Sequence, residues 1–230
     1  MRKKELLLIL LIAIYSSVFT QKTAIYTHQY KAYNNALELF NKQKYGVAQK
    51  MFEKVISTYK NENTDIKTDA EYFSAICAIE LFNSDAEYLI SKFIIKHPES
   101  PRIKSAYFQM GKYQYRKKRY KKAIKWLTKS AVQSWNREAQ LYLGTIYYNG
   151  EGVAKDYKNA LHYFEDAAMQ GSTEAQIKLG IMFYKGEGTP MDKPAAEFLL
   201  RKSMEDGNEV GKKLYEKYNL AELVKDNTLK

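Results

Sequence analysis

AQLYLGTIYYNGEGVAKDYKNALHYFEDAAMQGSTEA, residues 139–175, closes on an alanine from which the same pattern starts again and runs to residue 211. Alanine, Leu-Gly, an aromatic pair, Gly-Glu-Gly, aspartate, alanine and a closing glycine recur 36 residues apart, from Ala139, Gly144, Tyr147, Gly150, Asp156, Ala160 and Gly171 to Ala175, Gly180, Phe183, Gly186, Asp192, Ala196 and Gly207. Within each copy the apolar residues fall three and four apart on either side of the Gly-Glu-Gly segment, which is the period of two amphipathic helices. The glycines allow the positive backbone angles of a helix end followed by a tight turn. Asp156 and Asp192 stand where a side chain caps the next helix, and Pro194 falls in its first turn, where a missing amide costs little. Each copy therefore reads as a helical hairpin.

The pattern extends upstream. Nine-residue segments beginning at Ala48, Ala86, Ala123, Ala160 and Ala196 carry apolar residues three, four and usually seven or eight places later, and their starts lie 38, 37, 37 and 36 residues apart. A small residue precedes each of them: Ala36, Ser74 and Gly111 by twelve positions, Gly144 and Gly180 by sixteen. A small residue facing the alanine would let two helix axes approach at the short end of the roughly 8–10 Å range. Glycine costs about 1 kcal/mol against alanine inside a helix, so its use there points to a packing requirement. The expectation is an all-α chain, an α-solenoid of five stacked antiparallel helical hairpins forming an α–α superhelix.

The doubled pattern of 139–175 and its successor resembles Sel-one-like repeats, a relative of the tetratricopeptide repeat. The earlier units resemble tetratricopeptide repeats less strictly, through His97-Pro98 at the close of the second and Met110-Gly111, Tyr120, Ala123 and Leu127 in the third. On that division, residues 1–20 are a leader, 21–137 three tetratricopeptide-like hairpins, 138–207 two Sel-one-like repeats, and 208–230 a capping helix and tail, with Lys212, Lys213, Glu216 and Lys217 giving the cap a polar side over 208–225. Both families are scaffolds for protein–protein contact, so the resemblance implies a non-enzymatic adaptor. It also implies that the first helix of each pair lines a concave groove, exposing Tyr30, Tyr33 and Phe40 from the first unit and Lys112, Tyr115 and Arg116 from the third. Some tetratricopeptide proteins grip a C-terminal carboxylate with lysines and asparagines at set places; Tyr33 and Leu37 stand at the first such places here, a departure from that clamp. Paired cysteines, which accompany β-lactam binding in some secreted Sel-one-like proteins, are absent.

The leader carries Arg2, Lys3 and Lys4 before an apolar run from Leu6 to Ile14, then a short weakly polar stretch to Thr20. That order is the pattern of a secretory signal peptide cleaved between Ser17 and Thr20, with an uncleaved anchor as the plain alternative, and the run is shorter than a spanning helix needs. The chain is expected to be exported, periplasmic or secreted, with no transmembrane span in its mature part. Cys77 is the single cysteine; lying among Phe73, Ile76 and Ile79, it reads as a small buried apolar group rather than a reactive thiol.

Net charge is +11, and residues 101–137 hold twelve basic and no acidic residues, leaving 25 basic and 26 acidic elsewhere. The third unit alone makes the chain basic. Tyr107, Tyr113, Tyr115, Tyr120 and Trp126 are interleaved with these charges, and Arg116, Lys118 and Arg119 fall at the turn between its two helices. Such a cluster attracts an acidic protein segment or an anionic envelope surface of lipid, lipopolysaccharide or glycan, with strong salt dependence; export argues against nucleic acid, and a merely solvated turn is the plain alternative. His28, His97 and His162 are far apart and form no metal-ligand spacing, and the Gly-Glu-Gly segments follow no strand and lead into no Gly-Lys-Ser/Thr, so they are not phosphate loops. Glu151 and Glu187 occupy equivalent turns, which points to a structural cause. No catalytic, cofactor or metal residue is assigned.

Overall fold

The computed structural model describes residues 30–60, 64–218 and 220; the leader, His28 and the tail from residue 221 lie outside them. Every described element is a helix: α1 (30–41), α2 (Tyr45–Thr58), α3 (Asp65–Glu80), α4 (Ala86–Lys96), α5 (Ile103–Arg116), α6 (Tyr120–Ser134), α7 (Arg137–Asn149), α8 (Tyr157–Met169), α9 (Thr173–Lys185), α10 (Lys193–Glu205) and α11 (Glu209–Lys217). Consecutive helices pack as hairpins, in two compact units that meet in sequence at Ile103 and Lys104. Among the described residues no helix is long and apolar enough to cross a membrane.

In the N-terminal unit α3 packs against both α2 and α4. Ala36, Ala48 and Ala86 are fully buried. Phe52 and Phe73 stack at 5.6 Å and Phe40 meets the Phe73 ring edge-on at 5.0 Å, which knits α1, α2 and α3. Cys77 is fully buried on α3, and burial pushes its thiol up to about 12, as suits a packing residue.

The C-terminal unit shows the repeat most plainly. Ala123, Ala160 and Ala196 are all fully buried, but the recurring glycine has a larger side chain as its nearest neighbour across the hairpin. A Cβ added at Gly111 would lie 2.7 Å from Leu127, at Gly144 2.6 Å from the Phe164 ring, and at Gly180 2.8 Å from Leu200. The glycine therefore faces the bulky residue one turn after each alanine, because that is the side chain whose volume needs a hole in the partner helix. The expectation that glycine and alanine face each other is corrected to this extent.

Gly150 and Gly186 end α7 and α9 with φ of 72° and 71°, and Asp156 and Asp192 accept the amides of Asn159 and Ala195 at 3.0 and 2.9 Å. A second set of caps, at Asn136, Ser172 and Asn208, accepts the amides of Ala139, Ala175 and Gly211. In the three shorter hairpins the turn instead passes through Gln43, Phe82 and Lys118, all with φ of 56–58°. The described part of the expected capping helix is α11: Lys212, Lys213, Glu216 and Lys217 are exposed, while Gly211 abuts Ser203 and Tyr218 stacks on Tyr184 at 4.0 Å.

Gly144→Ala must displace a buried aromatic ring, and a loss of about 1–3 kcal/mol is expected. Gly46, helical in α2 with open space around its Cα, gives the opposite sign: Gly46→Ala should stabilise by about 0.5–1 kcal/mol. Denaturant midpoints of the two variants check the pair.

Candidate partner-binding surface

The structure places Lys112, Tyr115 and Arg116 on α5, and Lys118 and Arg119 in the turn to α6, within the C-terminal unit. The turn is closed by the Lys118 amide on the Tyr115 carbonyl at 2.8 Å and the Arg119 amide on the Gln114 carbonyl at 2.9 Å. Lys117, Lys118, Arg119, Lys121 and Lys122 are exposed; Lys112 and Arg116 are half-buried. The interleaved aromatics act as seats for the lysines. Tyr107 and Trp126 stack at 5.8 Å, Lys129 lies over both rings at 5.3 and 5.2 Å, and Lys117 lies over Tyr113 at 5.7 Å. At the ends of the cluster, Arg102 makes a two-point contact with Asp69 at 3.0 and 3.1 Å, and Arg137 pairs with Glu138 at 3.3 Å.

Tyr115 turns inward. It packs against Tyr120 and Tyr142 at 5.5 and 4.9 Å and donates its hydroxyl to Glu151. Tyr148, at the equivalent place in the next hairpin, donates to Glu187 at 2.7 Å. Burial first, and the facing carboxylate second, hold both phenols well above their ordinary range. The glutamate of each Gly-Glu-Gly turn is thus the acceptor that ties one hairpin to the hairpin before it, a physical cause for its repetition.

The N-terminal unit uses the same device. Tyr33 donates to Asp69 at 3.2 Å, and burial with the nearby carboxylate pushes it up to about 12. Phe40 is packed between Tyr45 and Phe73, whereas Tyr30 is 53% exposed. Of the residues singled out from the sequence, Tyr33, Phe40 and Tyr115 spend their side chains on internal contacts; Tyr30, Lys118 and Arg119 face solvent. The tyrosine–carboxylate bonds escaped the sequence reading, although a tyrosine four residues after Gly111, Gly144 and Gly180 was visible as a signal. Among the described residues no three histidine, cysteine, aspartate or glutamate side chains gather as a metal site.

These features define a helical-hairpin repeat protein of the Sel1-like and tetratricopeptide-like class. The Sel1 repeat family model matches residues 104–133, 137–172 and 173–208, so these residues form Sel1-like repeats, and the match takes in the basic hairpin α5–α6 as well as the two hairpins after it. Among solved structures, the chain is similar to a protective antigen of uropathogenic Escherichia coli strains displaying an SLR fold, with TM-score 0.59, 22% identity and coverage of 75% of this chain and 36% of that one. It is similar to the C-terminal part of a TPR repeat-containing protein from Cytophaga hutchinsonii, with TM-score 0.61, 18% identity and coverage of 83% and 71%. A Sel1 repeat protein from Oxalobacter formigenes shares 31% identity over 50% of this chain and 88% of its own, with TM-score 0.45. The chain thus spans about a third of the Escherichia coli antigen's length. No curated relative matches it. Sel1 and tetratricopeptide repeat proteins generally mediate protein–protein interactions and are typically non-catalytic.

A double-mutant cycle of Tyr148→Phe and Glu187→Gln should give a coupling of about 1–2 kcal/mol, read from denaturant midpoints, because the bond joins a neutral donor to a charged acceptor in a half-buried place. Tyr33 gives a pH signature: with its folded pKa raised from 10 to about 12, its contribution is complete below pH 10 and drains away as pH rises towards 12. Tyr33→Phe should flatten that part of the alkaline stability loss.

Proposed function

We propose that this chain is a non-enzymatic adaptor of the cell envelope that holds an acidic segment of a protein partner against the basic hairpin α5–α6. The observation that carries this reading is the run of exposed Lys117, Lys118, Arg119, Lys121 and Lys122 on a fixed turn. Their charge is presented by a rigid backbone, so a partner meets it without first ordering the turn. Lysines seated over Trp126 and Tyr107 extend the same positive field along α6. The charged-apolar-polar order of the first twenty residues supports export to the periplasm or beyond. The Sel1 repeats over residues 104–208, of a family that is typically non-catalytic, support a binding role over catalysis.

A second reading is favoured by one observation: Trp135 and Val132, at the far end of α6, are 60% and 73% exposed. Exposed apolar groups beside lysines suit the headgroup region of an anionic lipid or lipopolysaccharide surface.

Lys118→Glu with Lys121→Glu separates the two. Capture of a stoichiometric protein from an envelope extract at low salt should fall at least tenfold, about 1.4 kcal/mol, in the variant, while flotation with vesicles of anionic lipid stays at background for both proteins. Vesicle binding that disappears in the variant would favour the second reading, and protein capture indifferent to both charges would remove the first. N-terminal sequencing of the protein recovered from the envelope fraction should begin between residues 18 and 22.

A further inference from the structure

The N-terminal unit contains a cavity of about 590 Å³ between α2 and α4, floored by α3. Its volume is that of a small-molecule site, and residues of the N-terminal unit line it. The wall is divided by chemistry. Ile56, Leu89 and Phe93 give it an apolar side, and Lys60, Lys67, Lys92 and Lys96 bring four ammonium groups to it.

Among the described lining residues four lysines face two glutamates. Glu71 is engaged by Lys96 at 2.7 Å and His97 at 2.6 Å. Burial alone would raise its pKa, yet those two hydrogen bonds outweigh burial and hold the carboxyl below its ordinary range, so it remains an anion spoken for by its own partners. Glu53 is the one other carboxylate among the described lining residues, against Lys60, Lys67 and Lys92. Lys67 is only 8% exposed, and its ammonium donates to the Lys60 carbonyl at 3.0 Å, which fixes the head of a buried cation at the cavity wall. A positive surplus in a concave, partly apolar site is a receptor for an anion, because field lines concentrate where solvent is thinned.

We propose that this cavity binds a small single-headed amphipathic anion, its carboxylate or phosphate held by Lys60, Lys67 and Lys92 and its alkyl part lying on Ile56, Leu89 and Phe93. Neither kind of group alone accounts for the wall: the lysines recognise the head and the apolar residues take the tail. The site is independent of the protein-partner surface, so either can fail without the other.

The test is calorimetric titration of the full chain with decanoate, decyl phosphate and decanol. Saturable binding of at least one of the two anions is expected, with decanol at least tenfold weaker, and the two anionic arms tell a carboxylate from a phosphate head. Lys60→Glu with Lys92→Glu, at rim positions away from the buried core, should weaken anion binding at least tenfold while the far-ultraviolet dichroism stays unchanged; Lys118→Glu, in the other unit, should leave it alone. Decanol binding as tightly as the anions, anion binding that survives the double substitution, or no saturable binding to the folded wild-type chain would each overturn the proposal.

Discussion

A glycine on the first helix of a hairpin, seated under one large side chain of the second, is the contact on which the regularity of the C-terminal unit depends. Leu127, Phe164 and Leu200 each fill a space in which a single added carbon would come within 3 Å. Dense packing makes that geometry restrictive, because a core at crystal-like density transmits the bulk of one methyl group to its neighbours. Once the notch fixes how the two helices of a hairpin meet, the alanines one turn earlier are fully buried as well. The rest of the sequence can then vary, since its residues project outward from a frame already set.

Hairpins are joined to one another by a different kind of contact. Tyr33 with Asp69, Tyr115 with Glu151 and Tyr148 with Glu187 pair a tyrosine of one hairpin with an acid of the next. Such bonds are directional where apolar packing is not, so they define how neighbours register as well as how strongly they adhere. They account for three of the chain's 20 tyrosines. Lysines face outward on α6, and the Lys129 ammonium lies over the half-buried Tyr107 and Trp126 rings.

Much of this was legible in the sequence, and the reasons are specific. The 36-residue recurrence of Gly-Glu-Gly, aspartate and alanine located the helices, the turns and the Asp156 and Asp192 caps, because glycine and capping residues act through local backbone geometry. What periodicity could not supply was the partner of each face. It put Gly144 on the inner side but not under Phe164, and it left Tyr115 on a groove-facing list although its hydroxyl is committed to Glu151. The turns through Gln43, Phe82 and Lys118 carry no glycine signal at all, since tertiary packing there overrides the backbone preference of those residues. The lysine-walled cavity joins residues from three helices spread over 53–96, a conjunction that no local window contains.

Tyr184 sits where Tyr148 and Tyr115 sit in the preceding hairpins, yet the group against it is the flat face of Tyr218. A phenol donating to a glutamate there would repeat the link made by the two hairpins before it. Covered instead by an aromatic ring, the same position is sealed by a flat stack that has no directional bond to offer.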